Sequence, residues 1–135
     1  MKKPMILVVD DSKPILCLLK VVLEKKFDVF AAIDGFDAMS WLMDGNRPDI
    51  IISDLEMPNI SGVELISYLS NSSYYDDVPI LVLSGAEEGE IADRCGKLRI
   101  ADYLTKPFDP AELLEKVDKV LNRSQETYKR SSISL

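Results

Sequence analysis

Three consecutive isoleucines at positions 50–52 are the sequence feature that most constrains the fold. A continuous β-branched run of this kind is typical of a strand that is buried on both faces of a parallel sheet. Asp54 follows the run at the point where the strand should pass into a loop, and Pro58 then ends the strand. Because open α/β sheets bind ligands at the carboxyl ends of their strands, Asp54 stands where a rigid element can present an acid to a ligand.

Apolar runs and helical patterns alternate five times along the chain. The predicted strands are residues 5–9, 28–33, 50–52, 79–83 and 100–104, and the predicted helices lie within residues 13–26, 35–45, 63–69, 87–98 and 110–121. Repeated strand–helix units need parallel strands with helices on both faces of the sheet. We therefore predict an α/β fold with a doubly wound parallel sheet over residues 1–122, followed by a polar tail or the start of a linker over residues 123–135.

The composition limits the classes of partner and of chemistry. The 135-residue chain has a formal net charge of −7, which argues against direct nucleic-acid binding because lysine and arginine supply most of the affinity for phosphates. No apolar run approaches the roughly 20 residues of a membrane span, so no membrane partner is predicted. The absence of histidine excludes His-dependent triads and His-ligated zinc. Cys17 and Cys95 lack the spacing of a metal or redox motif, which favours reduced thiols in a cytoplasmic protein.

Chemically reactive side chains follow four of the five predicted strands. They are Asp10, Asp11, Asp54, Ser84 and Lys106. These strand ends should converge on one edge of the sheet, where three carboxylates repel one another unless a cation joins them. Mg²⁺ prefers such oxygen ligands, with Mn²⁺ as an alternative, and the lysine and the serine hydroxyl are each suited to a phosphoryl oxygen. A carboxylate nucleophile beside a metal is one route to an aspartyl phosphate.

Four motifs carry a resemblance to a known family. They are VVDDS at 8–12, IIISDLEMPNISG at 50–62, PILVLSG at 79–85 and ADYLTKPF at 101–108. With them the chain resembles, over about residues 4–121, the receiver domain of response regulators in two-component signalling, which includes chemotaxis regulators. The resemblance implies a flavodoxin-like (βα)5 sheet with strand order 2-1-3-4-5. It also implies a phospho-accepting signalling domain that assists its own phosphorylation and dephosphorylation, and not a conventional enzyme.

The resemblance further assigns the acceptor and the metal ligands. Asp54 would be the phosphorylated residue. Asp11 and Asp54 would bind Mg²⁺ together with the backbone carbonyl of Glu56, and Asp10 would act from the outer shell of the metal. Because the chain has no histidine, the phosphohistidine must belong to a sensor histidine kinase or a phosphotransfer protein.

The resemblance also implies a switch. Ser84 and Lys106 would contact the phosphoryl group, and Tyr103 would change rotamer when Ser84 moves. The output would leave through helix four, strand five and helix five, toward a downstream effector or a second copy of the domain. The charges predicted for this surface are Arg94, Lys97, Asp102, Glu112 and Lys119.

Two other classes of protein share parts of this pattern. Phosphatases and phosphomutases of the haloacid dehalogenase type use an aspartate nucleophile with Mg²⁺, but they place a DxD-type motif on the first strand, where this chain has adjacent Asp10 and Asp11. A receiver-like module that is never phosphorylated would lack the acids or Lys106. Two departures from the family pattern are Arg99-Ile100, where many members have Gly-Ala, and serine at position 84, where many have threonine.

Overall fold

A computed structural model describes residues 2–57, 59–96 and 98–133, and their side chains except those of Glu88 and residues 125–133. The strands are β1 (Met5–Val9), β2 (Asp28–Ala32), β3 (Ile50–Ser53), β4 (Ile80–Ser84) and β5 (Asp102–Thr105). The helices are α1 (Lys13–Leu23), α2 (Gly35–Met43), α3 (Gly62–Asn71), α4 (Glu88–Cys95) and α5 (Pro110–Ile133). Pro58, predicted to end the third strand, and Lys97, predicted to join the output surface, lie outside the described residues.

The five strands form one parallel sheet in the order β2-β1-β3-β4-β5, which confirms the predicted fold class and strand order. The helices that follow β1 and β3 pack on opposite faces of the sheet. The carboxyl ends of these two neighbouring strands are therefore left open to a crevice, the usual ligand position in this architecture. Across the described part of the chain, no helix combines the length and the apolar character needed to cross a bilayer.

The isoleucine run supplies both cores of the molecule. Successive residues of a strand point to opposite faces of the sheet. Ile50 and Ile52 accordingly pack with α1 and α5, whereas Ile51 packs with α2, α3 and α4. None of the three is more than 1% exposed. The run is continuous because both faces of β3 are covered, as the sequence predicts for a central strand.

Several predicted boundaries are wrong by a few residues. β4 begins at Ile80, because Pro79 has no N–H to donate to the ladder, and it includes Ser84. β5 begins at Asp102 instead of residue 100, in a register that pairs Ser84 with Thr105. α1 ends at Leu23 because the chain turns there to bury Phe27, whose N–H donates to the Leu23 carbonyl at 2.9 Å. α4 covers only Glu88–Cys95, where residues 87–98 were predicted.

Helix α5 is longer than its apolar pattern. The buried stripe ends at Leu121, the predicted end of the helix, but the helix continues to Ile133. Residues 122–133 have no apolar period, yet they contain glutamine, glutamate, lysine and arginine, which all favour helix. The role of residues 123–135 as a tail or as the start of a linker stays a prediction.

Arginine side chains bind the loop between α3 and β4, which lies at the amino end of the sheet. Arg47 forms an ion pair with Asp77. Arg99 donates to the backbone carbonyls of Val78 at 3.2 Å and Tyr75 at 3.4 Å. The arginine that departs from the family pattern therefore connects two loops on the side of the sheet away from the reactive aspartates.

Candidate functional site

Hydrogen bonds that continue the ladder beyond the strands bring two aspartates together. The Asp10 N–H donates to the Ala32 carbonyl at 3.1 Å, and the Asp54 N–H donates to the Val9 carbonyl at 3.0 Å. Both aspartates are therefore held in extended backbone just beyond β1 and β3, which are neighbours in the sheet. Asp10 is 1% exposed and Asp54 is 7% exposed, so neither carboxylate is well hydrated.

Asp11 completes a cluster of three acids. One carboxylate oxygen from each of Asp10, Asp11 and Asp54 lies within 4.8 Å of the other two, and Asp11 is the exposed member. Three like charges at this separation repel one another unless cations compensate them. All three oxygens are hard ligands of the type that Mg²⁺ binds. The cluster therefore has the composition and spacing of a divalent-cation site.

The Asp54 carboxylate is oriented by its own loop and by a lysine. Its Oδ1 accepts hydrogen bonds from the N–H groups of Leu55 at 2.8 Å and Glu56 at 3.4 Å. Its Oδ2 lies 3.4 Å from Lys106 Nζ. Burial nevertheless raises the pKa of Asp54, and the nearby Asp10 charge adds to this effect, while Lys106 and the two N–H groups oppose it. Asp54 is thus an acid whose charge is incompletely compensated by the protein alone.

Lys106 supplies the positive charge of the site. Its Nζ donates to Asp10 Oδ2 at 2.8 Å, in addition to its contact with Asp54. Burial lowers the pKa of Lys106, but the hydrogen bond to Asp10 and the charges of Asp54 and Asp10 outweigh that effect, so that its net pKa is raised. Lys106 therefore remains charged at neutral pH and faces both buried carboxylates.

Ser84 lies on the β4 side of a cleft that opens over Asp54. The cleft has a volume of about 610 Å³ and is lined by Asp11, Asp54, Glu56, Ser84, Gly85, Ala86, Glu90 and Lys106. Ser84 is 2% exposed, and its Oγ accepts the Ala86 N–H at 3.1 Å. Its carbonyl accepts the Lys106 N–H at 2.8 Å, so the loops that carry the hydroxyl and the ammonium are directly connected.

The loop after Asp54 is shaped by a close approach of α3. The Gly62 N–H donates to the Leu55 carbonyl at 2.9 Å. A Cβ atom at Gly62 would lie 1.8 Å from the Asp54 carbonyl oxygen, so only glycine fits at this position. Asn59 has a positive φ of 69°, the left-handed conformation that asparagine tolerates better than most residues. These contacts fix the backbone conformation of the loop that contains Glu56.

Tyr103 is a half-buried residue of β5, and Lys116 of α5 contacts it. Lys116 Nζ donates to the Tyr103 carbonyl at 2.7 Å and lies 5.3 Å from the centre of its ring. The same ammonium lies 3.4 Å from Asp102 Oδ1. The residue predicted to change rotamer therefore packs against the core on the α4 face of the sheet, and Lys116 of α5 contacts its carbonyl and its ring.

The structure brings together Asp10, Asp11, Asp54, Ser84 and Lys106, as expected from their places at the strand ends, and it puts the Glu56 backbone in the adjoining loop. Sequence reasoning missed Gly62 as a contact of the acceptor backbone. It also missed Arg94 as a partner of Glu56 and Lys116 as a partner of Tyr103. The glycine lies in the motif itself and could have been recognised, but the two cations belong to helices whose sequence pattern carries no sign of these contacts.

Comparisons with known proteins point to one family. A family model described as the response regulator receiver domain matches residues 6–118. Protein PilG of Pseudomonas aeruginosa is 38% identical over 111 residues, which are 81% of this chain and 81% of PilG. The transcriptional regulatory protein PrrA of Mycobacterium tuberculosis is 38% identical over 132 residues, which are 96% of this chain but only 54% of PrrA. The chain therefore spans about half the length of that relative.

Structural similarity agrees with the sequence matches. The chemotaxis response regulator CheY4 of Vibrio cholerae superimposes with a TM-score of 0.82 at 31% identity, over 88% of this chain and 99% of CheY4. The strand order, the acid cluster and the lysine that faces it fit the same family. The chain belongs to the response regulator receiver domain family.

Proposed function

We propose that this chain accepts a phosphoryl group on Asp54, in a reaction that requires Mg²⁺, from the phosphohistidine of a sensor histidine kinase or a phosphotransfer protein. The observation that carries the proposal is the setting of Asp54. Its carboxylate lies in a cleft, next to two other acids and 3.4 Å from a charged lysine. Membership of the receiver family supports the assignment, since accepting a phosphoryl group is the general function of that family.

The transfer would exchange one bond to phosphorus for another. A carboxylate oxygen of Asp54 would form the new O–P bond while the N–P bond of the phosphohistidine breaks. The bonding electrons return to the imidazole, which takes a proton from solvent. Lys106 and the Ser84 hydroxyl would bind phosphoryl oxygens across the cleft, because both line the space above Asp54. The protein would thus assist a transfer in which its own side chain is the acceptor.

The acid cluster fits the implied metal. Asp11 and Asp54 line the cleft and would ligate Mg²⁺ together with the backbone carbonyl of Glu56, with Mn²⁺ as an alternative ion. Asp10 is already bound to Lys106 and to the Ser12 N–H, which supports its place in the outer shell. When bound, the metal would neutralise charge between the phosphoryl group and the carboxylates.

The signal would leave the site through Ser84 and Tyr103. Contacts of Ser84 and Lys106 with the new phosphoryl oxygens would draw their connected loops toward Asp54, and Tyr103 would then turn into the space that Ser84 vacates beneath α4. The output surface would be α4, β5 and α5, where the described charges Arg94, Asp102, Glu112 and Lys119 offer both signs to an effector or to a second copy. The net charge of −7 supports a protein partner over nucleic acid, and the two free cysteines support a reducing, cytoplasmic setting.

The donor and the metal requirement can be tested together. The chain is mixed with a histidine-phosphorylated phosphotransfer protein that carries a radioactive phosphoryl group, in Mg²⁺ or in excess chelator, and transfer is followed on denaturing gels. Label should move to this chain only in Mg²⁺. Acetyl phosphate provides a donor that needs no protein recognition. Equal labelling in chelator would contradict the metal requirement, and absence of labelling by every donor would contradict the function.

A further inference from the structure

An ion pair connects the loop after Asp54 with helix α4. Arg94 Nη1 donates to Glu56 Oε1 at 2.9 Å, across 38 positions of sequence. Glu56 lines the cleft, and its side chain is 74% exposed, while that of Arg94 is 35% exposed. The pair is therefore a surface contact at the mouth of the site, and neither partner reaches the Asp54 carboxylate with its side chain.

The ion pair is important because the backbone of Glu56 contacts the carboxylate of Asp54. The Glu56 N–H lies 3.4 Å from Asp54 Oδ1, and the preceding Leu55 N–H donates to the same oxygen at 2.8 Å. Leu55 is fully buried and is fixed by the Gly62 N–H, whereas Glu56 is exposed. The ion pair is thus a side-chain contact that restrains the outer half of this loop.

We propose that Arg94 is a positioning residue, which holds the Glu56 backbone in place through the ion pair and transmits movements of that backbone to α4. The inference rests on the proposed function, in which the Glu56 carbonyl helps to hold Mg²⁺. It adds a second connection between the site and the output surface, independent of Ser84 and Tyr103. Loss of the pair should loosen the loop, weaken metal binding and reduce the response of α4 to a phosphoryl group.

The two substitutions that break the pair separate positioning from simple electrostatics. Removal of the Arg94 charge should strengthen Mg²⁺ binding if only the field at the site matters, and removal of the Glu56 charge should weaken it. If the pair positions the loop, Arg94→Ala and Glu56→Ala should both weaken Mg²⁺ binding. The double variant should then be no weaker than either single variant, because the same contact is lost in all three.

The test is a Mg²⁺ titration of the unphosphorylated full chain, followed by the NMR shifts of the amides around Asp54. We expect Arg94→Ala, Glu56→Ala and the double variant each to weaken binding about threefold, the range typical of one exposed ion pair. Arg94→Lys should recover most of the loss. Asp93→Ala, the removal of an exposed acid beside Arg94 on the same helix, is the control and should change the affinity by less than about 1.5-fold.

A second measurement tests transmission to α4. Amide exchange of residues 88–95 is compared with and without beryllofluoride and Mg²⁺, each saturating for the variant used. In both alanine variants, the change in amide exchange should be at most about half of the change in the wild-type chain. Opposite signs for the two single variants, additive losses in the double variant, or an unaltered α4 response would overturn the inference while leaving the proposed function intact. A wild-type chain that binds no Mg²⁺ would overturn both.

Discussion

Lys106 Nζ lies 2.8 Å from Asp10 Oδ2 and is closer to this aspartate than to the proposed acceptor. The lysine therefore compensates the most deeply buried acid of the cluster while it also faces Asp54 at 3.4 Å. A phosphoryl group on Asp54 would compete with Asp10 for the same ammonium. The position of Lys106 would then report whether Asp54 is phosphorylated.

Loss of the Lys106 charge should destabilise the chain in the absence of metal. Lys106→Met leaves Asp10, which is 1% exposed, without its cation, and removal of one partner of a buried pair costs about 3 kcal/mol. The free energy of unfolding in urea measures the loss. Mg²⁺ should reduce the difference from the wild type, because the metal supplies positive charge to the same acids.

The control for this variant is Lys119→Met. Lys119 pairs with Glu115 at 3.0 Å on the surface of α5, and its side chain is 57% exposed. Its loss should cost no more than about 1 kcal/mol, as for other exposed pairs. Equal losses in the two variants would show that the site charge of Lys106 has no special role in stability.

The raised pKa of Asp54 predicts a pH-dependent gain in stability for Asp54→Asn. Burial raises this pKa above its ordinary value of 3.8, so ionised Asp54 disfavours the folded state. The stability associated with the protonated acid is complete below 3.8 and is lost as pH rises through the raised pKa. Without metal, the asparagine variant should therefore be more stable than the wild type at neutral pH, with an advantage that shrinks as pH falls toward 4.

Urea unfolding of both proteins between about pH 4 and pH 8, in chelator, gives this comparison. Mg²⁺ should favour the wild type, because the asparagine amide is a poorer ligand than the carboxylate. A wild-type chain that is more stable than the variant at neutral pH without metal would show that Lys106 and the loop N–H groups fully compensate the Asp54 charge.

Gly62 should tolerate no side chain. Its Cβ would lie 1.8 Å from the Asp54 carbonyl oxygen and 2.6 Å from Leu55 Cα, both backbone atoms that cannot move aside cheaply. Gly62→Ala should lower the free energy of unfolding by about 3 kcal/mol or more. Gly89→Ala is the matched control, because nothing lies within 4 Å of its Cβ position and alanine favours helix. Equal stabilities of the two variants would contradict the close approach.

Lys106→Ala should separate phosphorylation from its response. The acceptor Asp54 remains in this variant, but the ammonium that would draw the Ser84 loop toward the phosphoryl group is lost. With beryllofluoride and Mg²⁺, the NMR shifts of the loop after Asp54 should still change, whereas those of Tyr103 and α4 should change less than in the wild type. A full response of Tyr103 in the variant would contradict the proposed route.

The strand ends explain how much of this site could be predicted from the sequence. Asp10, Asp54, Ser84 and Lys106 each follow an apolar run, and parallel strands bring their carboxyl ends to one edge, so spacing alone predicts their meeting. The ion pair of Arg94 depends on how α4 packs, and α4 is an exposed, charged helix whose pattern does not define a buried face beyond Ile91 and Cys95.

The predicted ends of some helices and strands were wrong for similar reasons. The apolar pattern ends at Leu121, but α5 continues to Ile133 through residues that favour helix. Pro79 belongs to the apolar run, but it has no N–H to donate and lies outside β4, whereas Ser84 at the other end pairs with Thr105 and belongs to the strand. The ends of helices and strands depend on helix propensity and on single hydrogen bonds. The spacing of apolar residues in the sequence does not indicate either of them.

The central claim is that Asp54 is the acceptor, and intact mass spectrometry after incubation with acetyl phosphate and Mg²⁺ tests it most directly. The wild-type chain should gain the mass of one phosphoryl group, and so should Asp49→Asn, which changes an exposed acid at the opposite end of β3. Asp54→Asn should gain none, although it folds and keeps the rest of the cleft. Phosphorylation of Asp54→Asn to the level of the wild type would contradict the account.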